Sequence, residues 1–286
     1  MTADDFGYSR EVNAAVMSTF RDGVLTAASL MVAGAARDEA ASIACEYPDL
    51  DVGLHVVICR GFSVLPHKYL EGLTDPTGRF PDQPVVAGMK YFFERRLRSC
   101  LRDELRAQVE THLKLVGKLK HLDGHLNFHV HPIIAGILID LATEYQVPCI
   151  RLPREPIIAT LRLAADNFPR KVIESIIFKA LSRRMLKLMQ GRGIGSSDRL
   201  FGLHQTGHLS QEYVLGLIDR LPPGTTEIYF HPAEQVNGQS PSTAAQVETQ
   251  ILKSPRVRQA LMDANVCLTT FARITSEQQS AKGQSR

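Results

Sequence analysis

Short apolar runs alternate with longer stretches of helical periodicity along this chain. The segments 25–32, 51–56, 119–123, 149–152 and 226–231 are short, apolar and bounded by turn residues, which predicts strands, and 266–271 reads as a last strand. The stretches 10–22, 37–47, 98–118, 133–145, 211–221 and 243–264 carry apolar residues at helical spacing. Strand–helix alternation of this kind predicts an α/β fold with a parallel sheet, either open or closed into a (β/α) barrel. In such folds chemistry collects at the carboxyl ends of the strands. Residues 66–93 hold several prolines and glycines and read as a long loop, and the polar residues after Ile274 read as a disordered tail.

Asp4 and Asp5 belong after a strand in such a pattern, yet only Met1, Thr2 and Ala3 precede them. The reading is therefore that the barrel lacks its first strand or that the natural start lies upstream, the second being preferred. Apart from this the 286 residues suit one large domain, taken as 1–275 with 276–286 as the tail. A 44% apolar content supplies a sizeable core, and no apolar run is long enough for a membrane helix. There is no basic stretch leading into an apolar one at the start, so no secretion signal is read and a cytoplasmic location is expected. Five scattered cysteines without a CxxC pair fit a reducing compartment, and a net charge of +3 is too small to imply nucleic acid.

The polar residues at the predicted strand ends are the chemical signal. Asp4 and Asp5 are adjacent, and side chains alternate along a strand, so one can meet a metal ion while the other faces a water. Asp5 is assigned to the ion and Asp4 to the base; taken alone, the pair also fits a helix cap before Arg10. His55 ends 51–56, where a lone histidine is more often a core residue than a ligand. The run Asp123 to Pro132 carries His125, His129 and His131; if extended, these share one face and converge. His125 is the first choice as ligand, with His129 and His131 reserved for supporting or substrate contacts. His231, before Pro232, suits a proton donor, and Arg151 can orient a carboxylate through a bidentate contact. Glu155 and His208 complete the set expected to meet substrate.

Together these segments resemble the YdjC-like carbohydrate deacetylase family, which includes chitooligosaccharide deacetylase. The resemblance runs from Thr2 to about Ile274 and rests on Thr2 to Gly7, Gly53-Leu54-His55, Asp123-Gly124-His125 through His129-Val130-His131-Pro132, Arg151 to Glu155, and His231-Pro232. It implies a deformed (β/α) TIM-like barrel of the polysaccharide-deacetylase type, with one divalent ion held by Asp5, His55 and His125. Asp4 takes the base position and His231 the acid position. Zinc and magnesium are the first expectations for the ion, with manganese and cobalt as alternatives. The expected reaction is removal of an N-acetyl group from an N-acetylglucosamine-type sugar by metal-assisted amide hydrolysis. Details such as Asp198 to Gly202 and Thr206 to Ser210 resemble the hopanoid biosynthesis-associated HpnK branch, which makes an N-acetylglucosaminyl hopanoid the expected substrate and a chitooligosaccharide the alternative. Asn127 stands where many relatives carry a histidine. A phosphoesterase using the same residues and a non-catalytic sugar- or lipid-binding protein are the rival readings.

One stretch fits none of this chemistry. Residues 157–190 carry seven cationic and two acidic side chains, a local net charge of +5, among Ile173, Ile176, Ile177, Phe178 and Leu181. A basic amphipathic helix can lie on an anionic bilayer. The region 157–200 is therefore read as a helical, basic insert or lid that gives peripheral contact with the inner membrane. A helix packed on the barrel, or a homodimer contact, accounts for the same pattern.

Overall fold

The computed structural model describes residues 1–274. Six parallel strands form one curled sheet: β1 (Thr2–Phe6), β2 (Ala27–Leu30), β3 (Asp51–Val56), β4 (Leu122–Gly124), β5 (Arg199–Phe201) and β6 (Thr226–Phe230), in the order β4-β3-β2-β1-β6-β5. Helices cover its outer side: α1 (Arg10–Asp22), α2 (Arg37–Glu46), α3 (Pro84–Phe93), α4 (Leu97–Val116), α5 (Pro132–Glu144), α6 (Ile157–Leu163), α7 (Phe168–Met189), α8 (Gln211–Ile218), α9 (Thr243–Lys253) and α10 (Pro255–Asp263). The result is an α/β half-barrel, the deformed TIM-like barrel expected.

The first strand is present, which corrects the reading that it is missing. β1 lies in the middle of the sheet, pairing Thr2 with Ala27 of β2 on one side and with Tyr229 of β6 on the other. Asp4 and Asp5 therefore lie inside a strand rather than after one. The strand kinks within its length: its register shifts between Ala3 and Phe6, and Asp5 adopts φ 61°. Two predicted strands do not form. Cys149 and Ile150 make single bridges to Gly195 and Leu122, and Pro148 and Pro153 on either side lack the N–H a ladder needs. Residues 265–270 are irregular and 271–274 are helical. The 66–93 segment is not all loop: it contains a 3-10 turn at His67–Tyr69 and α3, which opens with Pro84 in the first helical turn, where its missing N–H costs nothing. The single helix expected over 243–264 is two, because Ser254 caps a new start ahead of Pro255 and accepts from the Val257 N–H.

One contiguous apolar cluster runs from Ala3 to Leu261. β3 is buried along its whole length, as befits a strand covered on both faces. α4 and α5 set Leu101, Leu105, Val109, Ile134, Leu138 and Leu141 into this core, each worth about 1.5–3 kcal/mol on burial. Among the described residues no helix is long and apolar enough to cross a membrane.

Candidate metal centre and catalytic cleft

The carboxyl ends of β1, β3, β4 and β6 deliver the polar side chains. Ordinary alternation sends Asp4 and Asp5 to opposite faces of β1. The left-handed conformation at Asp5 breaks that alternation, so both aspartates line one cleft of about 580 Å³ together with His231. A non-glycine residue in this region costs of order 1–3 kcal/mol and marks a functional constraint.

Asp5 Oδ1 stands 3.0 Å from His125 Nδ1 and 3.3 Å from His55 Nε2. One ligand-type atom from each of the three residues lies within 4.8 Å of the others. The His55 imidazole is fixed by its other nitrogen, Nδ1, at 2.8 Å from Asp123 Oδ1. Its Nε2 is buried, with Asp5 at 3.3 Å but no well-aligned hydrogen bond. A second group, Asp4, His55 and Asp123, is as compact. Asp123, however, is fully engaged: its other oxygen accepts from Ser29 Oγ at 2.7 Å and lies 2.8 Å from Arg151 Nη2.

Arg151 is the buried hub. It holds Asp4 through two parallel bonds of 2.8 Å, donates Nε to Glu227 Oε1 at 2.8 Å, and stacks its guanidinium 4.8 Å from the Tyr229 ring centre. Arg151 is 0% exposed and Asp4 3%. Three carboxylates, of Asp4, Asp123 and Glu227, thus gather round one guanidinium, while Asp5 pairs with His55 and His125. Buried carboxylates outnumber that guanidinium, a charge balance compatible with a further cation. The protonation equilibria say the same. Burial alone lowers the His55 pKa, yet Asp123, Asp4 and the bonded carboxylates raise it to about 10. Against the cost of burial, His125 and His55 hold Asp5 well below the usual carboxylate range. Against the same cost, Arg151 and His55 do this for Asp123. The field that keeps a proton on His55 also favours a divalent ion, which requires that imidazole deprotonated. Asp5, His55 and His125 therefore fit one: a carboxylate and two imidazoles, one with a nitrogen that lacks a well-aligned hydrogen bond, leaving room on the cleft side.

The other expected residues lie elsewhere or act differently. His231 borders the cleft, its ring edge-on to Tyr229, and its backbone N–H donates to Glu248. The run after His125 is not extended, which corrects the expected convergence of its histidines. It is a 3-10 segment, His125–Val130, with Leu126 and Asn127 both left-handed at φ 57° and 54°. His129 is wholly buried, with Nε2 3.0 Å from the Arg151 carbonyl, and burial lowers its pKa to about 4. It supports the backbone of Arg151 and does not face the cleft. His131 turns towards α3, with Nε2 3.1 Å from the Gly88 carbonyl. Glu155 is occupied by the Leu203 and His204 N–H groups and the Thr160 hydroxyl, so it holds the 203–204 loop. His208 is exposed in a separate recess beside Asp166 and Tyr213.

Sequence reasoning gave no role to Asp123, Glu227, Ser29 or Tyr229. Spacing held the signal for two of them. Asp123 precedes His125 by two residues, and Glu227, Tyr229 and His231 alternate along β6 on one face.

A curled parallel sheet with carboxylates and imidazoles at its carboxyl rim defines an α/β-barrel protein with a candidate cation centre. The comparisons carry this further. The YdjC-like protein family matches residues 1–263, and the chain belongs to that family. A carbohydrate deacetylase of Brevibacillus brevis is 30% identical over 281 residues, covering 96% of this chain and 98% of its own. A carbohydrate deacetylase of Vibrio cholerae is 36% identical over 148 residues, covering 51% and 55%. Among solved structures, a putative cellobiose-phosphate cleavage protein of Enterococcus faecalis superposes with a TM-score of 0.74 at 23% identity, over 96% of this chain and 97% of that one, a likeness of fold alone.

Proposed function

We propose that the protein is a metal-dependent carbohydrate N-deacetylase acting on an N-acetylglucosamine-type sugar, with an N-acetylglucosaminyl hopanoid as substrate. The observation that carries the chemistry is one cleft shared by Asp4, Asp5 and His231, with His55 and His125 converging on Asp5. The names of the Brevibacillus and Vibrio relatives support the reaction class.

The two Arg151 bonds fix the Asp4 carboxylate in direction and leave it the base that takes a proton from the attacking water. Water oxygen bonds to the acetyl carbon, the C–N bond breaks, and His231 gives a proton to the leaving amine. The products are acetate and a free amino sugar. Asp5, His55 and His125 would hold a divalent ion, whose Lewis acidity would acidify the water and polarise the acetyl carbonyl. Zinc and magnesium are the first candidates. Tyr229, against both the Arg151 guanidinium and the His231 ring, keeps base and acid in fixed relation.

The lipid part of the reading rests on the resemblance to the HpnK branch and on apolar surface beside the site. α7 leaves Ile173, Ile176 and Ile177 between 50% and 64% exposed, with Lys179, Arg183, Arg184 and Lys187 exposed further along. It is not a simple amphipathic helix, because Met185 and Met189 are buried on its other side and Lys171 is buried against Asp166. This outward face is proposed to rest on an anionic bilayer. Flotation with anionic vesicles tests it, and a concentration-dependent dimer in sedimentation in place of vesicle binding assigns the face to a second copy.

The activity test compares wild type, Asp4→Asn and a chelated sample on N-acetylglucosaminyl bacteriohopanetetrol and on chitobiose, read by mass spectrometry. A loss of acetyl from the lipid substrate, abolished in both controls, is the expected result. Turnover of chitobiose alone removes the lipid from the reading. No turnover of either by metal-loaded protein refutes the deacetylase, and hydrolysis of phosphate esters then selects the phosphoesterase.

A further inference from the structure

A second, almost wholly apolar cleft of about 350 Å³ is formed by α3, α7 and the turn that begins at His125. Met89 and Phe92 make one wall, Phe178 and Leu181 the other, and Leu126 and Phe128 the floor. Such surface is normally hidden, yet Val85, Met89, Phe92 and Phe93 of α3 are 44–78% exposed and Leu126 is 36% exposed.

Three observations tie this cleft to the site. His125, against Asp5, is followed directly by Leu126 and Asn127, and both line the apolar cleft. These two residues are held left-handed in succession, a strain that turns Leu126 out into the cleft where ordinary backbone would not. Asn127 reaches the other way: its Nδ2 lies 3.4 Å from the Tyr229 hydroxyl, beside His231, while its Oδ1 is buried with no partner. Asn127 thus borders the apolar cleft and contacts Tyr229, the side chain that also meets Arg151 and His231, so one residue links the apolar cleft to the polar site.

We infer that the α3–α7 cleft is the subsite for the apolar aglycone of a glycoside whose sugar occupies the catalytic cleft. The inference rests on the sugar-deacetylase reading for the sugar's place but not for the cleft's preference. It commits the site to an alkyl or fused-ring glycoside over a free oligosaccharide.

The test is calorimetric binding of methyl and octyl N-acetyl-β-glucosaminide to metal-loaded wild type, Val85→Lys and Met89→Lys, with acetate release measured in parallel. Both substituted positions are surface residues, so folding is retained. A fully buried methylene strengthens binding by about fourfold, so an octyl chain half-shielded in the cleft binds about 100-fold tighter than methyl. Each lysine variant is expected to lower octyl binding at least tenfold and leave methyl binding unchanged. Equal binding of the two glycosides, or variants that weaken both alike, overturns the inference. Absence of acetate from both refutes the hydrolase reading, while chain-length dependence of binding still decides the cleft.

Discussion

Asp123→Asn isolates the support under the metal centre. The substitution keeps size and shape but replaces one carboxylate oxygen with an amide NH2. In the native site that carboxylate faces only donors: His55 Nδ1 at 2.8 Å, Ser29 Oγ at 2.7 Å and Arg151 Nη2 at 2.8 Å. An NH2 directed at any of them opposes another N–H or O–H, so at least one charge-assisted bond, worth about 1.5–3 kcal/mol, is lost. If His55 Nδ1 loses its acceptor, the ring is no longer held with Nε2 towards Asp5. Removing such an outer partner of a ligating histidine typically weakens metal binding about 10- to 100-fold, or about 1.4–2.7 kcal/mol. Zinc titration of metal-free protein by calorimetry measures this, with Asp38→Asn as the control, since Asp38 is 84% exposed. The apo-protein is expected to lose stability as well, because Arg151 keeps Asp4 and Glu227 but gives up one of its three carboxylates. A zinc affinity within twofold of wild type in a folded Asp123→Asn protein refutes the assignment of His55 as a ligand oriented from behind.

Two further outcomes are expected from buried groups outside the site. His112 is held neutral by burial, with its pKa lowered to about 4 against an ordinary 6.5. Its folded pKa is depressed, so the unfolded chain binds the extra proton: stability is full above pH 6.5 and falls by at most about 3 kcal/mol as pH drops to 4. Urea unfolding at pH 7.5 and 4.5 reads this, and His112→Gln is expected to flatten its share of the slope; an unchanged pH dependence refutes it. Gly53→Ala places a Cβ 2.4 Å from the His121 ring. Ser29 and Asp51 bracket that ring at 3.1 and 3.4 Å, so it cannot retreat, and a loss of about 1–3 kcal/mol is expected by thermal melting. A neutral Gly53→Ala would mean that the ring is mobile.

Hydrophobic periodicity carried most of the fold into view, because buried strands such as β3 and two-sided helices such as α5 write their environment into adjacent residues. β1 escaped because its apolar residues are interrupted by Asp4 and Asp5, and its stability comes from partners at residues 27–30 and 229–230 that no local window contains. α3 was hidden by counting Pro84 and Gly88 as breakers, although proline in the first turn starts a helix. Asp5, His55 and His125 were grouped through the resemblance of their motifs to a known family, with their place near predicted strand ends in support. His129 was grouped with them only on the assumption of an extended chain, which the paired left-handed residues at 126–127 remove. Glu227 carries no local signal at the start of its strand, and its role is visible only in its contact with Arg151.

The position of β1 has a consequence for assembly. It joins its last partner, β6, only when Thr2 meets Tyr229, so Asp4 and His231, the proposed base and acid, come together through a contact between nearly opposite ends of the described chain. Contacts of such separation pay their loop entropy late in folding. During synthesis β1 must wait, one edge open, until β6 has left the ribosome. A chain stopped short of residue 226 therefore carries a strand with one edge unpaired, and recovery of activity on refolding should track closure of that one seam.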